Sequence, residues 1–328
     1  MRKTSGAVRR TTQAFGVLAT AGLVLTALGA TTANATPLEG GALPCTSGTV
    51  VGDNVVYTAP AGHYVRDNMT LTKAASDAQE AKTAARKAEL GITTVDASKP
   101  IKIPVSFHVI NKGKSVSDGN LSQKMINAQM KQLNKAYSGG ESGPGVDTKV
   151  KFTLKDVTRT TNATWYNGAD PESTIERQMK TKLHEGGYER LNIYTTNLTD
   201  TTGGILGYAY YPSDQVGVLD GLVMERRTVP GGGLPPYSGG DTATHEIGHW
   251  MGLAHTFDNG CTPPGDRVDD TPYEANPDFD CADIDSCQQP GKDPVHNYMD
   301  YGDDDCLDQF TQGQNVRMHD QYNTWRKP

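Results

Sequence analysis

Past residue 30 the sequence has no second long apolar run, so no retained membrane span is expected. No cysteine directly follows the run at 14–30, which disfavours lipoprotein anchoring. Basic charge is in deficit: 31 Lys and Arg stand against 38 Asp and Glu, a net charge of −7. That balance disfavours nucleic acid and anionic membrane surfaces as partners, since both reward a basic face. Gly231, Gly232 and Gly233 are followed by Leu234, Pro235 and Pro236. The stretch lacks the lysine and the strand-to-helix setting of a phosphate cradle and reads as a loop. Cysteine is scarce too, at five residues, an odd number that leaves one outside any intrachain pairing.

What is present at the N-terminus points to a compartment. Arg2, Lys3, Arg9 and Arg10 precede the uncharged run 14–30, and Ala33-Asn34-Ala35 has the small residues a signal peptidase requires. Residues 1–35 read as a signal peptide, and the chain as secreted and extracellular. Thr11-Thr12-Gln13 after Arg9-Arg10 fits folded export poorly and favours ordinary secretion. The leader holds basic residues and no acidic one, so the remaining chain is more acidic than the whole. Residues 36–98 read as a pro-segment or a plain N-terminal extension. Within them 72–90, rich in Ala, Lys, Glu and Gln, is expected to form an exposed helix ended by Gly91.

Residues 99–328 read as a catalytic domain. Strands are expected at 101–110, 150–157, 191–195, 205–211 and 219–224, and helices at 121–137, about 171–184 and 242–253, with Asp241 or Thr242 capping the last. That helix carries His245-Glu246-Ile247-Gly248-His249, and Gly252 and His255 follow. Helical residues four apart lie roughly 40° apart around the axis, so His245 and His249 can grip one ion. Gly252 permits a turn that brings back His255 as a third ligand. Three imidazoles that leave a fourth position open describe a catalytic zinc site. Glu246 can take a proton from the attacking water without binding the metal.

These residues match the pattern H-E-x-x-H-x-x-G-x-x-H, and Asn297-Tyr298-Met299-Asp300-Tyr301 follows at a suitable distance. The chain thereby resembles the metzincin clan of metalloproteases. His255-Thr256-Phe257 and residues 265–272 and 293–301 narrow the likeness to the pappalysin family, from about residue 101 to the C-terminus. The resemblance implies an α+β metzincin zinc-protease fold. Its parts would be a twisted mixed β-sheet, a zinc-binding active-site helix and a loop-rich, disulfide-stapled C-terminal subdomain. It also implies a secreted zinc endopeptidase acting on protein or peptide substrates. Met299 would form the floor beneath the metal, and residues 204–212 the upper rim of the cleft, whose edge can hold an extended peptide. Tyr301 matches a tyrosine that approaches the metal or hydrogen-bonds the oxyanion; a packed aromatic with a satisfied hydroxyl is the alternative.

Cys261, Cys281, Cys287 and Cys306 all lie in the C-terminal third. Their spacing leaves three connectivities open, and the resemblance favours Cys261 with Cys287 and Cys281 with Cys306. The fifth, Cys45, is either a free or intermolecularly paired thiol, or a thiolate that fills the open zinc position and keeps a zymogen silent. Between residues 261 and 308 fourteen acidic side chains face only Arg267 and Lys292, a bias that a solvated surface does not need. Among them Asp266, Asp269 and Asp270, with the carbonyls near Val268 and Thr271, resemble a calcium loop, against the alternative of a solvated acidic turn. Gly302-Asp303-Asp304-Asp305-Cys306 follows the methionine turn, where the clan lines the pocket for the residue just after the cut bond. A carboxylate fixed there rewards Arg or Lys. Asp305, beside a disulfide cysteine, is expected to supply it, with Asp303 and Asp304 solvated. A runner-up of another class, a secreted zinc-dependent binding or toxin-like protein, would leave an unfolded protein such as casein uncut.

Overall fold

The computed structural model describes residues 48–199, 204–213 and 216–327, so the signal segment and Cys45 lie outside the described residues. Two short strands, β1 (Thr49–Val51) and β2 (Asn54–Val56), pair as an antiparallel hairpin. Helix α1 (Lys73–Leu90) begins where Thr72 Oγ1 accepts from Ala75 N and ends at Gly91, φ 67°. Only Ser76 and Thr83 of this helix are buried. It cannot hold itself together through a core, and it is fastened instead by polar contacts to the body. Lys87 pairs with Asp320 at 2.6 Å, Arg317 pairs with Glu80, Arg267 pairs with Asp77, and Trp325 Nε1 donates to Thr83 Oγ1 at 3.2 Å.

The body follows as β3 (Ile101–Asn111), α2 (Gln123–Tyr137), β4 (Val150–Thr161), α3 (Ala163–Gly168), α4 (Thr174–Leu183), β5 (Leu191–Thr196), β6 (Gly207–Ala209), β7 (Leu222–Glu225), α5 (Asp241–Trp250) and α6 (Gln312–Gln321). Five strands form one sheet in the order β4-β3-β5-β7-β6, parallel throughout except for β6, which runs antiparallel along the edge. Both faces of the sheet are covered, which is why its central strands read as nearly continuous apolar runs. Alternate residues Ile103, Val105, Phe107 and Val109 join Ile126 and Leu133 of α2 and Ile247 and Trp250 of α5 in one cluster. Tyr194, Val223 and Tyr208 join Met179 of α4 and Tyr166 of α3 in another. Each such fully buried side chain contributes about 1.5–3 kcal/mol, so the sheet is a rigid base for whatever its edge carries.

Residues 251–311 contain no helix or strand, and two disulfides staple them, Cys261–Cys287 and Cys281–Cys306, with Cα separations of 5.4 and 6.2 Å. The mixed sheet, the active-site helix and the stapled region thus appear as expected. Strand bounds shift in two places. The strand expected at 205–211 pairs only over Gly207–Ala209, and that expected at 219–224 begins at Leu222 because Gly217–Leu219 form a 3-10 turn. Asp241 does not cap α5: the cap position is Gly240, and Asp241 is the first helical residue. The described residues form one compact unit, and no helix among them is long and apolar enough to cross a membrane.

Candidate active site and metal centre

Helix α5 carries His245, Glu246 and His249, all fully buried. Beyond it Gly252 N donates to His249 O, and Gly252 takes φ 87° with Gln321 Cγ only 2.4 Å from where a Cβ would stand. A side chain is excluded there on both counts, and the chain turns back to bring His255 beside the other two rings. The three Nε2 atoms lie 3.2, 3.2 and 3.0 Å apart. The opposite nitrogen orients each ring: His245 Nδ1 donates to Tyr298 O at 2.6 Å and His249 Nδ1 to Leu253 O at 2.8 Å. His255 Nδ1 lies 2.8 Å from Thr70 Oγ1 and 3.4 Å from Asp258 Oδ1. Carbonyls and carboxylates only accept, so Nδ1 carries the proton and Nε2 presents a lone pair.

A fourth donor completes the set, and the sequence did not announce it. Asp67 Oδ2 sits 2.7, 3.2 and 2.9 Å from the Nε2 atoms of His245, His249 and His255. Four lone-pair donors facing one point repel unless a cation lies among them. A tetrahedral zinc with bonds of about 2.0–2.1 Å needs donor separations of roughly 3.3 Å, close to the spacings present. The donor set therefore fits zinc, which three imidazoles and one carboxylate would hold. Among the described residues no other group of three or more His, Cys, Asp or Glu side chains converges in this way.

Glu246 lies against β6: a Cβ on Gly207 would stand 2.7 Å from its Oε1. Neither carboxylate oxygen has a hydrogen-bond partner in the protein. Burial first, and the charge of Asp67 second, push its pKa well above the ordinary range. An orphaned buried carboxylate is costly, and one beside a metal set is suited to chemistry rather than to stability. Met299 packs beneath the helix, its Sδ 2.3 Å from the place of a Gly248 Cβ, so the floor rests on bare backbone. Tyr301 is buried; its ring lies 5.0 Å from that of His255 and its hydroxyl donates to Asp67 O at 3.0 Å. Tyr211, another aromatic not singled out in the sequence, lies 5.4 Å from the His249 ring with a buried hydroxyl that has no partner.

Asp67 reaches the site on a strap, residues 63–71, that occupies the rim. Leu206 N donates to Val65 O at 3.1 Å and to Arg66 O at 2.9 Å, and Gly207 N donates to Arg66 O at 2.9 Å. The edge expected to be open for an extended peptide is thus taken by the chain itself. Arg66 is fully buried, and its guanidinium donates to Gly302 O through Nη2 at 2.5 Å and Nε at 3.2 Å, and to Asp304 Oδ1 at 2.9 Å. The other oxygen of Asp304 accepts from Gly239 N at 2.7 Å, Gly240 N at 3.0 Å and Asp241 N at 3.4 Å. Asp304 therefore caps α5 from outside the helix and in the same act faces a guanidinium. This corrects the expectation for Asp305, which is exposed, and for a solvated Asp304, which is 7% exposed. A turn at 304–306 decides which of three consecutive carboxylates faces inward, and no periodicity in the sequence encodes that.

The acidic loop divides likewise. Asp266 is buried, its Oδ1 accepts from Val268 N at 3.0 Å, and its Oδ2 and Thr271 Oγ1 have no hydrogen-bond partner. Burial pushes the pKa of Asp266 up to about 8. Asp269 is exposed, and Asp270 is engaged with Thr311 Oγ1 at 2.7 Å and Gly313 N at 2.8 Å. Two carboxylates named for calcium thus turn outward, because Asp270 anchors the start of α6.

A mixed sheet ending in an antiparallel rim strand, a helix bearing two histidines and a carboxylate, and a third histidine on the returning chain define a metalloprotease. The family model described as Pregnancy-associated plasma protein-A, peptidase M43, matches residues 173–323. An extracellular metalloprotease of Neurospora crassa is 38% identical over 296 residues, 88% of this chain and 96% of its own. Extracellular metalloprotease 1 of Coccidioides posadasii is 40% identical over 237 residues, 70% of this chain and 80% of its own. Of solved structures, a Tannerella forsythia promirolysin mutant superposes with a TM-score of 0.59 at 27% identity, covering 76% of this chain and 89% of that one. Mirolysin in complex with a compound gives 0.58 at 27% identity, over 69% and 93%. The chain belongs to the pappalysin (M43) family of extracellular metalloproteases.

Proposed function

We propose that the chain is a secreted zinc endopeptidase made as a precursor, with Glu246 as general base and a preference for Arg or Lys just after the cut bond. In this reading residues 1–35 are the signal peptide, 36–98 the pro-segment and 99–328 the catalytic domain. The observation that carries it is the fully buried Glu246 carboxylate, left without a partner beside three converging imidazoles. His245, His249 and His255 hold the metal. Zinc, when bound, supplies a Lewis acid that acidifies water and polarises a carbonyl. Glu246 accepts the proton of the attacking water and returns it to the leaving amine, a double task suited to a carboxyl whose pKa burial has raised.

Leu206 N and Gly207 N, which the strap now engages, would bind the backbone of a substrate. The Tyr301 hydroxyl, released from Asp67 O, would hydrogen-bond the oxyanion. The basic side chain after the cut bond would enter the place of Arg66 and pair with Asp304, where a desolvated carboxylate rejects apolar side chains. Calcium would take Asp266, the Val268 carbonyl and Thr271, and the buried side-chain oxygens of Asp266 and Thr271 support such a site. Substrates are extracellular proteins or peptides. Glu246→Gln should keep one zinc per mature chain and lose casein cleavage; full cleavage at equal zinc content would overturn this mechanism.

A further inference from the structure

The strap is more than a cover over the rim. It puts an acceptor on the metal point and a guanidinium in the specificity pocket with two adjacent residues. We propose that Arg66 and Asp67 form a pseudo-substrate latch, Asp67 closing the fourth zinc position and Arg66 filling the Asp304 pocket, so that the precursor stays silent until the strap is removed. The proposal rests on the zinc reading above.

Two other oxygens of Asp67 are used to aim it. Oδ1 accepts from Met69 N at 2.5 Å, and the backbone carbonyl accepts from the Tyr301 hydroxyl at 3.0 Å. Oδ2 alone faces the three imidazoles. A fully buried carboxylate that stays ionised needs an opposing charge, so a dication at the centre and this aspartate would stabilise one another. Thr70 Oγ1, three residues on, touches the Nδ1 of His255 at 2.8 Å and ties the strap to a ligand from behind. Three histidines and Asp67 would supply four donors to a zinc, which would leave no open position for water. They leave none for Cys45 either.

Release is built in on the far side. The strap continues into α1, whose links to the body are half-exposed ion pairs, and pairs of that kind contribute little each. Between α1 and β3, residues 91–100 form no helix or strand and are mostly exposed. A single cut there severs the covalent link of the strap and α1 to the body, leaving non-covalent contacts alone to hold them, among them the packing of Met69 and Val65. A tethered inhibitor then becomes a dissociable one and loses the advantage of effective concentration.

The test uses the full chain with Glu246→Gln to prevent self-cleavage, loaded with cobalt(II) in place of zinc. The visible spectrum reports the ligand set. Asp67→Ala should shift the cobalt bands, and so should the near-isosteric Asp67→Asn, which guards against misfolding, whereas Cys45→Ser should leave them unchanged. In the chain with native Glu246, Asp67→Asn and Arg66→Ala should each raise precursor hydrolysis of a short basic peptide about tenfold or more. Unchanged bands in both Asp67 variants would overturn the latch. So would a near-ultraviolet thiolate band lost with Cys45→Ser. Failure of every variant, including the parent, to take up cobalt would overturn the zinc reading itself, and the latch with it.

Discussion

The two walls of the cleft are assembled in opposite ways. On the helix wall the three ligands and the base come from the run His245 to His255, and one helix and one glycine turn bring them together. On the strap wall, Asp67 meets His245 across 178 positions of sequence and Arg66 meets Asp304 across 238. Local geometry gathers the side chains of the first wall, and Tyr298 O and Met299 orient and floor them from outside the run. The second exists only when hairpin, strap and stapled region are all in place, so it can be dismantled without harm to the first. Under the proposed latch, a metalloprotease stored silent would gain from that asymmetry, with its chemistry local and its removable inhibition long-range.

Substitutions can separate the two walls. The largest expected effect is on the helix wall, where Glu246→Gln should lower turnover of the mature form by about 10²–10⁴ while zinc content stays constant. His255→Ala should lose metal as well as activity, which metal analysis of the purified protein will distinguish. Next comes the staple beside the pocket. Paired Cys281→Ser and Cys306→Ser substitutions remove a bridge with a sequence separation of 25, which should cost about 3–4 kcal/mol in chemical denaturation. Smaller is the specificity effect. Asp304→Asn should cut the preference for basic over apolar peptides about 100-fold, as for truncation of a buried charge pair, while Asp305→Ala changes it by less than about twofold. Asparagine still accepts at the α5 N-terminus, so its effect should fall on substrate choice more than on folding.

How far each wall could be read from the sequence follows from the same contrast. Helical spacing and one obligatory glycine announce the ligands and Glu246, and the strand and helix positions follow from alternation and stripe. Asp67 has no local signature, being one polar residue in a segment whose only periodic neighbour is α1. Its role depends on a chain path across the rim that no spacing encodes. The choice of Asp304 over Asp305 turns on the rotation of one loop, and the carboxylates expected for calcium divide in a similar way, since Asp270 is drawn off to α6. Sequence located the acidic clusters but not which carboxylate faces inward.

The smallest predicted effect concerns that loop. Burial raises the Asp266 pKa to about 8, with Asp258 adding to the rise and Arg317 opposing it. A carboxyl with a native pKa above its unfolded value makes the calcium-free fold lose stability as pH rises from about 4 to 8. Calcium needs the ionised form, so its stabilisation should grow over that interval and reach about 1–3 kcal/mol near saturation. Thermal melts at fixed zinc will check this; a calcium response equal at about pH 6 and pH 8.5 would contradict it.

The most direct test of the account as a whole is to digest unfolded casein with the mature chain, with and without a chelator, and to sequence the cut ends. Cuts are expected on the amino side of Arg and Lys, abolished by the chelator and restored by zinc. Chelator-resistant cleavage, or ends dominated by Leu or Phe, would contradict it.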